Sequence, residues 1–268
     1  MSSGSRQQEK GSRFRAMHGG DPFVIPNPWD VGSARVLEAL GFTALATTSS
    51  GFAFTLGLVD GQVTLDQVVQ HVAAIDAATD LPVSVDLENG YGPAPADAAE
   101  AIRRVASAGA VGGSIEDFDR ESRELYGIGH AVERIRAAAA AARDMAFHFT
   151  LTARAENHIR DNPDLEDTIG RLTAFEEAGA DVLYAPGLRT AEEIRAVCEA
   201  VSRPVNVLAL PELSLEEVVA AGARRVSVGG GLTWVAVNAL AAAAVEIRDA
   251  GDFSSLAARL PLDEWLAS

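Results

Sequence analysis

One cysteine, Cys198, stands in 268 residues. It excludes an internal disulfide and fits a reducing compartment, and its place in the helical pattern 191–201 suits packing better than reaction. Long apolar runs are also missing: the alanine-rich stretches 137–142 and 239–244 are too short to span a bilayer and are flanked by charges. Residues 1–20 are polar and basic without an apolar signal core, so a cytoplasmic protein is expected, with residues 1–10 disordered. Positive charge is scarce. Lys and Arg number 22 against 38 Asp and Glu, a net charge of −16. That balance argues against nucleic acid as a partner, because phosphates need a positive surface. An anionic substrate would need a local arginine or metal.

What is present is a repeated unit with 48% hydrophobic residues around it. From Asp21 a short apolar strand, a loop and an amphipathic or alanine-rich helix recur. Strands are predicted at 23–26, 43–47, 83–86, 113–116, 149–154, 182–185, 205–208 and 225–228. Helices are predicted at 32–40, 65–78, 95–108, 131–143, 164–178, 191–201, 215–220 and 234–250. Several helices end at Ala-Gly-Ala or a close variant, the expected left-handed cap before the next strand. The strands are apolar throughout, as a parallel sheet buried on both faces requires. Eight such units without a composition break predict one (β/α)₈ barrel over 21–268, preceded by a tail and lead-in helix at 1–20. An open doubly wound sheet is the alternative, but no G-x-G-x-x-G opens the first unit.

In such a barrel the chemistry lies at the C-terminal ends of the strands. Val83-Ser-Val-Asp86-Leu-Glu88-Asn-Gly-Tyr-Gly92 runs a buried strand into a turn. At period two, Asp86 and Glu88 would share one side, about 7 Å apart. Asp60, Asp86, Glu88 and Glu116 come from three consecutive strands, and Arg154 from the fifth. Oxygen ligands without His or Cys favour a hard cation, Mg²⁺ or Mn²⁺. The competing reading is a set of rim salt bridges to Arg154. Thr48-Ser-Ser-Gly51 offers hydroxyls and backbone N–H groups, either as a carboxylate cradle or as a helix cap. No histidine falls at a strand end and no Ser-His-Asp order appears, which disfavours nucleophilic acyl transfer. His158 reads as a solvated loop residue, and His71 and His130 have no identifiable partners.

The segments Phe23-Val-Ile-Pro-Asn-Pro-Trp-Asp30, Thr47-Thr-Ser-Ser-Gly51, Asp86-Leu-Glu-Asn-Gly-Tyr-Gly92, Ser114-Ile-Glu-Asp117 and Thr152-Ala-Arg154 carry a resemblance. Over residues 20–250 the chain resembles the isocitrate lyase/phosphoenolpyruvate mutase superfamily. The resemblance implies a (β/α)₈ barrel, often with its last helix exchanged within a homodimer or homotetramer. It implies Mg²⁺ on Asp86, with Glu88 and Glu116 holding metal-bound waters and Asp60 in an outer shell. Ser50, Gly51 and Phe52 would bind the carboxylate of a small substrate beside Asp86, and Arg154 would balance oxyanion charge. Asp60, Glu116 and Arg154 would be the catalytic groups, under a gate containing Asp117, Arg120, Arg123 and Tyr126. The chain departs from the lyases in having no Cys or Lys in 117–127. It departs from the phosphonate mutases in ending strand six at Tyr184-Ala-Pro186. The leading expectation is a Mg²⁺-dependent carbon–carbon lyase or decarboxylase working through an enolate of a small 2-oxo or 2-hydroxy carboxylate. A phosphonopyruvate-type mutase or hydrolase, and a silent metabolite-binding member, are the alternatives.

Overall fold

The computed structural model describes residues 3–257 and 260–267. Its centre is a parallel sheet of eight strands: β1 (Phe23–Ile25), β2 (Leu45–Ala46), β3 (Val83–Asp86), β4 (Gly112–Glu116), β7 (Thr150–Arg154), β8 (Val182–Tyr184), β9 (Val205–Leu208) and β10 (Arg225–Ser227). They run in the order β1-β10-β9-β8-β7-β4-β3-β2. Between the two outer strands, the Ala46 N–H donates to the Pro26 carbonyl at 3.0 Å. That bond draws the ends of the sheet together into a nearly closed barrel. The remaining two strands, β5 (Phe118–Asp119) and β6 (Glu124–Leu125), form an antiparallel hairpin after β4.

Alternate residues of a strand face opposite sides. On β3, Val83 and Val85 are buried against the helices, while Ser84 and Asp86 look into the barrel and line its cavity. The main core lies in the layer between strands and helices. It joins Val85, Ile115, Leu151, Leu183 and Val207 to Ile102, Ile135, Leu172, Phe175 and Val197. Truncating one such residue, Leu172→Ala for example, costs about 2–5 kcal/mol. The helices that supply this layer include α4 (Leu65–Ala78), α5 (Pro95–Ser107), α6 (Ile128–Arg143), α7 (Leu165–Ala178), α8 (Ala191–Ala200) and α9 (Leu215–Ala220). Three of them start in capping boxes, Thr64 with Gln67, Thr190 with Glu193 and Ser214 with Glu217. Gly179 (φ 106°) closes α7 in the left-handed conformation the Ala-Gly-Ala signal implies.

Several elements differ from the sequence expectation. Residues 3–10 are not disordered: α1 (Ser3–Met17) runs through them. Lys10 is buried and pairs with Asp76 at 2.6 Å, Arg6 reaches Asp76 and Asp80, and Phe14 is fully buried at the base of the barrel. These anchors lie about 70 residues away in sequence, so local composition does not announce them. Thr48 takes the helix-cap role offered for Thr48-to-Gly51, but the helix it caps, α3 (Ser49–Thr55), is one the sequence did not predict. By contrast, the helix expected at 32–40 is present as α2 (Val31–Ala39), which follows β1 behind an Asp30–Ser33 capping box.

The final long helix, α10 (Gly231–Ala250), also corrects an expectation. The alanine-rich stretch 239–244 reads as too short to span a bilayer, yet the helix around it has 20 residues at mean hydropathy 1.2. It is long and apolar enough by length and composition, because its charges gather in the last turns at Glu246, Arg248 and Asp249. Only Thr233 of α10 is buried; Trp234, Val235, Leu240 and Val245 are exposed. A last short helix, α11 (Leu262–Ala267), packs against α2.

Candidate active site

Asp86 ends β3, and its carboxylate is shared among several donors. It accepts from Arg154 Nη1 at 2.8 Å, from the Ser49 N–H at 3.3 Å and from the Glu88 N–H at 3.2 Å. Burial alone would push its pKa up, but Arg154 and the amide donors outweigh it, so Asp86 titrates below the usual carboxylate range. Glu88 does not continue the strand face. The strand stops at Asp86, and Glu88 sits in the left-handed region (φ 50°), as does Tyr91 (φ 65°). The turn thus carries the Glu88 carboxylate to its own buried position, so the period-two relation to Asp86 does not hold. Left-handed backbone costs a non-glycine residue about 1–2 kcal/mol, and such strain gathers at functional sites.

Glu116, at the end of β4, is 1% exposed, and Glu156, just beyond β7, is 0% exposed. Arg154 lies 3.1 Å from Glu116 and 2.7 Å from Glu156, which also holds Arg160 at 3.0 Å. From the hairpin, Arg120 reaches Glu88 at 2.9 Å, Asp60 at 3.5 Å and Glu116 at 3.6 Å. Gly61 (φ 88°) permits that approach, since a Cβ there would stand 2.3 Å from Arg120 Nη1. Ion-pair distance and hydrogen-bond geometry differ here. Neither Glu116 oxygen, nor Glu88 Oε1, receives a well-aligned hydrogen bond despite burial. Their charges are near arginines, but their lone pairs are not satisfied.

Five carboxylates (Asp60, Asp86, Glu88, Glu116 and Glu156) therefore face three guanidiniums (Arg120, Arg154 and Arg160), an excess of two negative charges. Burial first, and neighbouring acids second, push Glu116 well above its usual range. Burial likewise raises Glu88 to about 7, although Arg120 opposes it. Arg154, which burial alone would lower, is held well above its ordinary value by Glu156, Asp86 and Glu116. Such an excess is relieved by two protons or by one divalent cation. Among the described residues, no three Asp, Glu, His or Cys side chains stand together as a ready metal cluster. Asp86 on the cavity wall, with the orphaned oxygens of Glu88 and Glu116 behind it, fits a cation that keeps part of its water, as Mg²⁺ does.

The cavity at this end holds about 260 Å³. Asp60, Asp86, Arg120, Arg154 and Ser50 line it; Glu88 and Glu116 stand behind Arg120 and are not on its wall. Of the cradle Thr48-Ser-Ser-Gly51, the first three residues line the cavity; of the substrate-binding set Ser50, Gly51 and Phe52, only Ser50 does. Gly51 is buried under Trp29, Thr48 and Thr233, where a Cβ would meet Thr233 Oγ1 at 2.6 Å. Phe52 turns away and stacks on His71 at 3.8 Å, which supplies the partner that histidine lacked in the sequence. Of the four gate residues, only Arg120 points inward. Asp117 is buried against Arg171 at 3.0 Å, and Tyr126 bonds Asn89 at 3.2 Å beneath Arg134. Arg123 is exposed at the hairpin tip (φ 59°). His158 is part-buried in a single 3₁₀ turn with an enclosed Nε2, not a solvated residue. Burial pushes the Cys198 thiol up to about 11, which disfavours the thiolate.

Three residues were missed as site groups. Glu156 and Arg160 have an i, i+4 spacing just after a strand end, a signal available in the sequence. Arg225 had a louder one, an arginine inside a strand meant to be buried on both faces.

The family model for phosphoenolpyruvate phosphomutase matches residues 14–248. A 2-methylisocitrate lyase of Halalkalibacterium halodurans is 30% identical over 204 residues, 74% of this chain and 67% of that protein. An oxaloacetate decarboxylase of Bradyrhizobium diazoefficiens is 28% identical over 210 residues, 75% of this chain and 71% of that protein. Among solved structures, a Burkholderia cenocepacia J2315 protein assigned only provisionally as a lyase or mutase superposes with TM-score 0.95 at 50% identity, covering 98% of each chain.

Proposed function

Because the chain belongs to the isocitrate lyase/phosphoenolpyruvate mutase superfamily, we propose that it is a Mg²⁺-dependent lyase or decarboxylase acting on a small 2-oxo or 2-hydroxy carboxylate. Members of the superfamily include lyases, decarboxylases, mutases and hydrolases. The observation that carries the reading is the excess of two negative charges around Asp86, beside a cavity that also presents Arg154. Asp86, with Glu88 and Glu116 acting through water, would hold a divalent cation that polarises the substrate's carbonyl and lowers the cost of an enolate.

The chain's own residues do the rest. Arg154 is fixed by Asp86, Glu116 and Glu156, so its positive charge faces the cavity without reorganising when oxyanion charge develops. Thr48, Ser49 and Ser50 line the cavity at the start of α3, where their hydroxyls suit a carboxylate. Arg120 neutralises Glu88 and Glu116 from the hairpin, so the hairpin's position is linked to the charge of those two acids. In a 2-oxo diacid such as oxaloacetate, the bond from C3 to the distal carboxylate breaks and its electron pair enters the enolate. Carbon dioxide leaves, and C3 then takes a proton.

The test is pyruvate release with Mg²⁺ over a panel of 2-oxo and 2-hydroxy acids containing oxaloacetate, 2-methylisocitrate and phosphonopyruvate. Release above the metal-only rate, lost in Asp86→Ala, supports the reading. Phosphate from phosphonopyruvate with no carbon–carbon cleavage transfers it to the phosphorus–carbon alternative. We also propose that α10 packs on a second copy of the chain, in a homodimer or homotetramer. Its exposed Trp234, Val235 and Leu240 leave apolar surface on several sides of the helix, which water does not favour. A monomeric mass in sedimentation would refute this.

A further inference from the structure

The interior of a (β/α)₈ barrel is ordinarily filled by layers of branched aliphatic side chains. One layer below the mouth, this barrel is polar instead. Ser84, Ser114, Thr152, Asn206 and Arg225 occupy inward positions on β3, β4, β7, β9 and β10. Arg225 is 5% exposed, and no carboxylate stands within ion-pair distance of it among the described residues. Its guanidinium donates to Asn206 Oδ1 at 2.8 Å and Thr152 Oγ1 at 3.0 Å, and lies 3.3 Å from His18 Nε2. The His18 Nδ1 sits 2.8 Å from the Phe14 carbonyl. That carbonyl can only accept, so Nδ1 carries the proton and Nε2 is the acceptor for Arg225. His18 is therefore a neutral partner, and its own pKa falls to about 3 through burial and then Arg225.

Three neutral acceptors serve a fork with five N–H groups. Two N–H groups and a whole positive charge remain uncompensated at the floor. A buried charge without a counter-ion is among the costliest features of a folded interior. In a chain of net charge −16 the omission of an acid here is the less expected. Arg225 is not sealed in, however. It lines the same cavity as Asp86 and Arg154, together with Asn206 and Ser227. Thr152, which holds the guanidinium, lies two residues below Arg154 on the same face of β7. The two arginines are thus separated along the barrel axis by about one layer, ~7 Å of strand rise. A four- or five-carbon diacid is of about that length, ~4–5 Å between its carboxyl carbons and ~6–7 Å between its outermost oxygens by standard bond lengths.

We propose that Arg225, with Asn206 and Ser227, forms an anion-binding subsite on the barrel floor that receives the distal carboxylate of the substrate. The assignment rests on the mouth being the carboxylate and metal end, and it narrows the substrate to a dianion long enough to bridge both ends. A monocarboxylate would fill the mouth and leave Arg225 uncompensated.

The test is calorimetric titration with magnesium acetate, in chloride-free buffer, of the native protein, Arg225→Met and Arg225→Lys. Two probes are used: oxalate, which fits the mouth alone, and 3,3-difluorooxaloacetate, a diacid with the proximal 2-oxo group. Arg225→Met should weaken the diacid by at least ~30-fold, the usual effect of removing one partner of a buried charge pair, while oxalate changes by less than about two-fold. Arg225→Lys, which keeps the charge and loses the fork, should fall between them. Retained oxalate binding shows that each variant is folded. Equal diacid affinity in native protein and Arg225→Met overturns the proposal. So does a chloride-dependent rise in native melting temperature that Arg225→Met lacks, when diacid affinity is unchanged, since the floor would then serve an inorganic anion. If oxalate binds none of the three proteins, the mouth reading has failed and the floor assignment falls with it.

Discussion

The mouth and the floor of this barrel lie one side-chain layer apart and have opposite deficits. At the mouth, five carboxylates outnumber three arginines, and Glu88 and Glu116 keep unsatisfied oxygens. At the floor, one arginine rests on an amide, a hydroxyl and a neutral imidazole. Both ends carry a desolvation cost that folding alone does not repay. The difference teaches that the two charges are not a structural pair, because the mouth acids are engaged by Arg120, Arg154 and Arg160 and, among the described residues, none lies within ion-pair distance of Arg225. In the reading proposed above, each end takes a partner from outside, a cation above and an anion below.

The comparison can be broken most sharply at the mouth. Asp86→Ala should lower kcat/KM by about 10³-fold, the scale of losing a principal electrostatic group, with an unchanged circular dichroism spectrum. Full activity in a folded Asp86→Ala protein would remove the mouth from the chemistry. A smaller effect is expected from Glu116→Gln, which relieves one excess charge. The apparent Mg²⁺ affinity should drop about 10- to 100-fold, as for other outer ligands, while the melting temperature without metal rises. A fall in both would mean that Glu116 serves Arg154 structurally.

The floor has its own signature in pH. His18 has a folded pKa near 3 against an ordinary 6.5, so the unfolded chain binds the extra proton between those values. Stability is therefore full above about pH 6.5 and is lost as pH falls toward 3, by about 1.4 kcal/mol per pH unit at most. His18→Gln, which keeps an acceptor for Arg225, should flatten that acid-side loss in urea unfolding at pH 7, 6 and 5. An identical slope in both proteins would mean that His18 is protonated without cost. Smallest of all, Thr64→Ala removes the cap of α4, far from either end. It should cost about 1 kcal/mol in denaturant unfolding and leave both ligand affinities alone; a change in either would tie the helix layer to the site.

The repeated units were readable because each is local. Val83–Asp86, Leu65–Ala78 and Leu215–Ala220 occur where periodicity and capping signals put them. Asp86, Glu116 and Arg154 were readable as strand ends for the same reason. Phe52, Gly51 and Arg123 show the limit. Ser50 and Arg120, from the same two segments, face the cavity, but a helix start at Ser49 and a hairpin at 118–125 turn these three elsewhere. Glu88 shows it more finely, since one left-handed residue takes a carboxylate off the strand face. A lead-in helix within 1–20 was expected, but its start at Ser3 was hidden because its anchors, Asp76, Thr79 and Asp80, are remote in sequence.

By itself the sequence determined the architecture: eight apolar strands alternating with capped helices have few ways to bury both faces of a sheet except as a barrel. It also determined which strand ends carry acids. Tertiary structure alone decided how those charges are sorted along the axis, because that depends on which side chains from eight separate strands meet at one depth. Pairing distance, desolvation and the lack of an acid beside Arg225 exist only once the barrel has closed.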